Sequence, residues 1–182
     1  GDCLSYLGVA REIGAYYQNQ IRIPQTSPLG SPTSKVPGHF PLREVSIKSE
    51  ACSLYKLWSI RGVKIGPSPS WLQARLEAVG LRPINNVVDV TNFVLHETGH
   101  PLHAIDYDRI KGHKVVVRTA REGEKLTTLD EKERSLHPDD LLICNEEEAM
   151  CIGGVFGGQD CGVRSCTFTI FLESAYFDPV RI

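Results

Sequence analysis

At 182 residues, with 41% hydrophobic and 23% charged residues and a formal net charge of −2, the chain carries enough apolar material for a well-buried domain. No apolar run approaches the roughly 18 residues of a membrane span, so no membrane partner is expected, and no basic-then-apolar leader is recognisable, so the expected compartment is the cytoplasm. The net charge by itself gives no support for nucleic-acid binding, but residues 1–82 hold ten Lys/Arg against five Asp/Glu while residues 83–182 hold ten against seventeen, a division compatible with an RNA partner that touches one side.

In chain order, Asp2 to Gln18 reads as an amphipathic helix capped by Asp2, with Leu4, Leu7 and Ile13 inward and Arg11 and Glu12 outward. Residues 19–42 form an irregular connection rich in Pro, Ser and Gly, with no periodicity. Glu44–Glu50 and Tyr55–Ile65 read as strands from their β-branched and aromatic content. Ser68 and Pro69 suit the cap and first turn of a second helix that buries Trp71, Leu72, Leu76 and Val79 and stops at Gly80. A third helix is expected over Val87–Thr98, with Asn86 as cap, Asp89 as its acidic partner, and Val87, Val90 and Val94 as one apolar stripe. Beyond it the pattern turns to β. Lys114–Thr119 alternates, Lys125–Leu129 and Arg134–Leu136 flank a turn at Asp130-Glu131, and Leu141–Cys144, Ala149–Ile152 and Phe168–Leu172 are short buried runs. Helices in the N-terminal half packed on a largely antiparallel β-rich core make an α+β fold, and no internal repeat is present.

The segment from Asn85 to Arg109 holds three of the six histidines and a literal H-E-x-x-H string, His96 to His100. A zinc hydrolase needs both imidazoles on one helical face. Gly99 suits a left-handed helix end, Pro101 cannot continue a helix, and a residue before proline is pushed out of the α region. His96 therefore belongs to the last turn and His100 lies beyond it, and no metal is expected on the pair. The six cysteines (Cys3, Cys52, Cys144, Cys151, Cys161 and Cys166) contain no C-x-x-C and read as free thiols; the x9 and x4 spacings of the last three match no common zinc module and suggest structural roles.

Four glycines in the run Gly153 to Gly158 allow close backbone approach and offer N–H donors, or else make a tight turn between strands; no Lys-Ser/Thr follows, so the run is not a P-loop. Glu173 ends an apolar strand and is either solvated there or aimed into a pocket. His103, among Leu102, Ala104 and Ile105, is either a packed histidine or a site residue kept neutral by apolar surroundings. Thr91 and Asn92 fall mid-helix, where such side chains are commonly solvated or bonded to the preceding turn. No nucleophile has a neighbouring base in sequence, so any hydrolysis would use water.

The strings GPSPSWLQARLEAVGLRPINNVVDVTNFVLHETGHPLHAIDYDRI, GEKLTTLD, IGGVFGG and LESAYFDPVRI, with DCLSYLGVAREI at the start, resemble the editing region of the bacterial phenylalanyl-tRNA synthetase β subunit, in the right order over nearly the whole of residues 1–182. Ile105 stands where that family usually has phenylalanine, and Glu131 where a turn glycine is common. The resemblance implies an excised piece of a longer β subunit. It also implies an activity, the hydrolysis of tyrosine mischarged onto tRNA(Phe), which a mostly apolar synthetic pocket rejects poorly. It further implies that Glu173 accepts the tyrosine hydroxyl, and that His103, Thr91, Asn92, Gly153, Gly154 and Ala175 surround the amino acid, the terminal ribose and the attacking water. The implied partners are the tRNA(Phe) acceptor end and an α subunit, in an assembly of two α and two β chains. No cofactor is implied in this region, since ATP and magnesium serve the full enzyme elsewhere. Two other readings remain: a non-catalytic module contacting tRNA and subunit, and a metallohydrolase using the H-E-x-x-H string.

Overall fold

The computed structural model describes residues 3–23 and 42–182; the predicted cap Asp2 and most of the irregular connection lie outside the described residues. Among the described residues, ten strands and three α-helices form an α+β fold, as expected. Helix α1 spans Tyr6–Tyr17, α2 Ser70–Ala78 and α3 Asn86–Thr98. Strands β1 (Glu44–Ile47), β4 (Lys114–Thr119), β7 (Leu141–Cys144), β8 (Ala149–Ile152) and β9 (Phe156–Gly157) make one sheet in the order β1-β4-β7-β8-β9, antiparallel except for the parallel pair β1–β4. Strands β2 (Cys52–Arg61), β10 (Thr169–Phe177) and β3 (His103–Asp106) make a second, antiparallel sheet with β10 in the centre. The short hairpin β5–β6 (Lys125–Thr127 and Glu133–Ser135) flanks the first sheet.

The main core joins the inner faces of the two sheets: Ile105 and Phe171 from one meet Val115, Val117, Leu141, Ile143 and Met150 from the other. The opposite face of the first sheet is covered as well, with Val116, Leu142 and Cys144 packed under Leu126 and Leu136 of the hairpin region. This double burial explains why Leu141–Cys144 is apolar at every position, without alternation.

The helices depart from the expected patterns in detail. Ser5 caps α1, its hydroxyl accepting from the Gly8 N–H at 3.0 Å, and Leu4 and Ile13 are exposed rather than inward. The buried positions on α1 are Gly8 and Gly14, and the chain that leaves the helix folds back closely over Gly14, where a Cβ would stand 2.9 Å from Ile21. Asn85, one residue earlier than expected, caps α3 by accepting from the N–H groups of Val87 and Val88. Asp89 is not a capping partner. It is fully buried and accepts from the Ser68 hydroxyl (2.5 Å) and the Ile84 N–H (2.8 Å), tying the entry of α2 to α3. Val90 and Trp71 are exposed, Trp71 meeting Phe93 edge-on across the α2–α3 contact. Gly99 ends α3 with φ +82°, so the helix stops between His96 and His100 for the reason its sequence suggests.

Candidate functional site

Strand β10 runs from Thr169 to Phe177, well past the apolar stretch, so Glu173 sits inside a strand paired on both edges and not at its mouth. It lies opposite His103 on β3 and Leu57 on β2, while Ala175 lies opposite Tyr55. Strand alternation puts Phe171, Glu173 and Ala175 on the inner face of β10 and His103 and Ile105 on that of β3. Glu173 is only 6% exposed. Its Oε2 accepts the Tyr55 hydroxyl at 2.8 Å and stands 4.0 Å from His103 Nδ1.

Two thiols complete the cluster. Cys151 on β8 has its sulfur 3.6 Å from His103 Nδ1 and 3.6 Å from the sulfur of Cys161; the Cys161 thiol also contacts the Gly158 carbonyl at 3.2 Å. Gly157 packs against the other ring nitrogen, since a Cβ there would lie 3.5 Å from His103 Nε2. At Gly158 a Cβ would overlap the Met150 carbonyl oxygen, so that position admits only glycine. On the outer face of the same sheet, His100 Nε2 and the Ser174 hydroxyl are hydrogen-bonded at 2.9 Å, which accounts for the second histidine of the H-E-x-x-H string.

The electrostatics follow from burial and proximity. Burial raises the Glu173 carboxyl above its ordinary value, opposed by His103 and by the Tyr55 hydrogen bond. Tyr55 is raised well above the ordinary phenol value by burial and the adjoining carboxylate. Cys161 is brought down to about 5, against burial, by its hydrogen bond with Cys151 and by the imidazole of His103, while the same bond and burial push Cys151 well up. For His103 burial opposes the charge, but Cys161 and Glu173 outweigh it and the imidazole is raised. Residues distant in sequence, Cys151 at 3.6 Å and Glu173 at 4.0 Å from Nδ1, thus place acidic groups beside a ring whose sequence neighbours are apolar.

The structure brings His103, Glu173 and Ala175 onto one inner surface. It does not join the remaining expected site residues to them. Thr91 turns its hydroxyl back to the Val88 carbonyl at 2.7 Å, and among the described residues neither it nor Asn92 is hydrogen-bonded to His103 or Glu173, although α3 lies beside β3. Gly153 and Gly154 form the turn between β8 and β9: the Gly153 N–H bonds to the Leu141 carbonyl at 2.7 Å, Gly154 has φ +73°, and its neighbours are Phe177 and Ile182. Tyr55, Cys151, Cys161 and Gly157 carried no signal strong enough to single them out; the x9 spacing of the two cysteines reflects their places on β8 and a later loop.

The chain is similar to known proteins. Over 181 residues, 98% of the chain, it is 47% identical to the phenylalanine–tRNA ligase β subunit of Anaeromyxobacter dehalogenans, and over 182 residues it is 48% identical to that of Moorella thermoacetica. The chain spans about 22% of the length of these relatives. Its fold is similar to that of an N-terminal fragment of the phenylalanyl-tRNA synthetase β-subunit from Pyrococcus horikoshii, with a TM-score of 0.54 at 11% identity, covering 76% of this chain and 44% of that one. The model of the B3/4 domain matches residues 51–182, which hold the whole His103–Glu173 cluster and both sheets except the edge strand β1, and the chain belongs to the B3/4 domain family.

Proposed function

We propose that this domain is the editing module of a phenylalanine–tRNA ligase β subunit and hydrolyses tyrosine esterified to tRNA(Phe), with water as nucleophile. The observation that carries this reading is the Glu173 carboxylate, buried on an inner strand face and already holding a phenolic hydroxyl, that of Tyr55, at 2.8 Å. A carboxylate with this environment suits a tyrosine substrate, whose hydroxyl would bond to its remaining acceptor sites. A phenylalanyl group offers no such donor. Because Tyr55 keeps Glu173 partly satisfied, the penalty against phenylalanine falls at the lower part of the usual range, about 1–2 kcal/mol, or roughly 5- to 30-fold.

His103 serves as a donor that orients the water or the terminal ribose. This orienting role needs only a ring N–H and no transfer of a proton, which distinguishes it from a general base. Thr91, Asn92, Gly153, Gly154 and Ala175 contribute the rest of the surface for the amino acid and ribose, Thr91 and Asn92 by turning from their present positions on α3. An aminoacyl ester is already activated, so positioning of water and ribose suffices without a covalent intermediate. The acceptor end of tRNA(Phe) and the α subunit are the proposed partners, in an assembly of two α and two β chains; ATP and magnesium act outside this segment. Deacylation of Tyr-tRNA(Phe) and Phe-tRNA(Phe) by the purified protein tests the reading: preferential release of tyrosine supports it, and equal inertness towards both esters rejects it.

A second reading, a contact module without hydrolysis, is favoured by one observation. The outer face of the β2–β10 sheet exposes Leu54, Trp58, Ile60 and Tyr176 together. The same assay separates the two.

A further inference from the structure

We propose that His103, Cys151 and Cys161 form a zinc-binding site. Among the described residues these three side chains offer one donor atom each, all within 4.8 Å of one another. A tetrahedral zinc ion, with bonds of about 2.3 Å to sulfur and about 2.05 Å to nitrogen, holds two sulfurs about 3.8 Å apart and a sulfur about 3.6 Å from a nitrogen. The two sulfurs here are 3.6 Å apart, and Cys151 is 3.6 Å from His103 Nδ1. Two edges of the donor triangle thus already have coordination spacing, and the third, from Cys161 to His103, lies within 4.8 Å.

Three further features suit a cation. Glu173, buried and 4.0 Å from His103 Nδ1, sets an acidic group beside the donor cluster, and buried charges are paired or coordinate metals. Two thiolates and an imidazole select zinc over the hard oxygen-seeking cations. Cys161 also lines a cleft of about 390 Å³ bounded by Met150, Gly158 and Asp160, so one of the three donors borders open space. Binding requires both thiols and the His103 Nδ1 to be free of protons, and those they carry pass to solvent, leaving two thiolates and a neutral imidazole on a dication; the Gly158 carbonyl, which loses the thiol donor, keeps the Cys161 N–H at 3.5 Å. Ligation through Nδ1 fixes the tautomer with the proton on Nε2, on the Gly157 side of the ring. The ion binds whether or not the neighbouring surface hydrolyses an ester, and the hydrolysis proposed above is not routed through it.

The test is metal binding by the purified protein, stripped with chelator under a phosphine reductant and titrated with Co²⁺ and then Zn²⁺. One equivalent of Co²⁺ is expected to give thiolate-to-cobalt charge-transfer absorption and tetrahedral d–d bands, both abolished by one equivalent of Zn²⁺. Cys151→Ser and Cys161→Ser should each weaken binding more than about 100-fold, beyond the 10- to 100-fold typical of losing an outer-shell partner, and the double variant Cys3→Ser/Cys166→Ser should bind as the parent does. His103→Gln, at a partly exposed position, provides a variant less dependent on core packing and should also bind more weakly. Absence of cobalt–thiolate absorption in the reduced parent protein, or absorption that survives Cys151→Ser and disappears with Cys3→Ser/Cys166→Ser, overturns the assignment.

Discussion

Glu173 is held by backbone pairing on both sides, so its carboxylate has one direction to face, towards Tyr55 and His103. Replacing it with alanine in the full synthetase should depress Tyr-tRNA hydrolysis and relax discrimination against Phe-tRNA; equal loss on both esters with selectivity intact would contradict its role as the selective group. Tyr55 makes a sharper test. Tyr55→Phe removes the phenol bonded to this buried carboxylate, so stability should fall by about 1–2 kcal/mol in denaturant unfolding. Selectivity should move the other way, because phenylalanine would then leave Glu173 without any hydroxyl partner while tyrosine supplies one. A Tyr/Phe deacylation ratio in Tyr55→Phe no higher than in the parent would refute that coupling. At His103, a glutamine retains hydrogen-bonding capacity without proton transfer, so His103→Gln should keep a substantial share of deacylation. A general base would lose about 10²–10⁴-fold in either substitution, and equal damage from His103→Gln and His103→Ala, with fold and tRNA affinity unchanged, would restore that role.

Among the elements, those with strong periodicity or clear stop signals were legible. Gly99 and Pro101 mark the end of α3, and Leu141–Cys144 reads correctly as a buried strand. Elements defined by their partners were not. His103–Asp106 has only four residues after a proline and becomes a strand because β10 offers it an edge, and β10 continues through Glu173 because β2 and β3 pair with it there, whatever the polarity of its side chains. The turn between β5 and β6 shows a local misfit that sequence does reveal: Glu131, where a turn glycine is common, takes φ +60°. Glu131→Gly should stabilise the domain by about 0.5–1 kcal/mol, the relief of left-handed strain less the added entropy of an unfolded glycine; an unchanged or lowered midpoint would contradict it. Beside this hairpin, Arg118 grips Glu124 through two hydrogen bonds of 2.8 and 2.7 Å, and the Arg121 N–H adds a third. The Arg118 hydrogen bond is the main cause that lowers the Glu124 carboxyl below its usual value, against partial burial. A carboxyl depressed in the folded state stabilises above its unfolded value near about 4.3 and loses that contribution as pH falls through the folded value. Glu124→Gln should therefore cost about 1–2 kcal/mol at neutral pH and flatten the acid limb of the stability curve; an unaltered acid limb would remove the pair from the account.

At the scale of the whole molecule, the α+β class and the family were legible because long strings of residues fall in order along the chain, whereas the make-up of the cluster was not. His103, Tyr55, Cys151, Cys161 and Glu173 come from four strands and a loop, and only the facing of the two sheets brings them together. The same closure sets a thiol and a buried carboxyl beside a histidine whose neighbours in sequence are apolar. Outside the inter-sheet core, the apolar surface of β2 and the exposed side chains Leu4, Tyr6, Ile13 and Tyr16 of the N-terminal region show that burial is concentrated on the C-terminal β layers. The hydrolysis proposed for the cluster depends on one property, preference for an ester whose amino acid carries a phenolic hydroxyl. The most direct measurement is the deacylation rate of Tyr-tRNA(Phe) relative to Phe-tRNA(Phe), for the parent protein and for Glu173→Ala. The account predicts a ratio of roughly 5- to 30-fold or more in the parent, collapsing towards one in the variant; a parent ratio near one, or a ratio unchanged by Glu173→Ala, would contradict it.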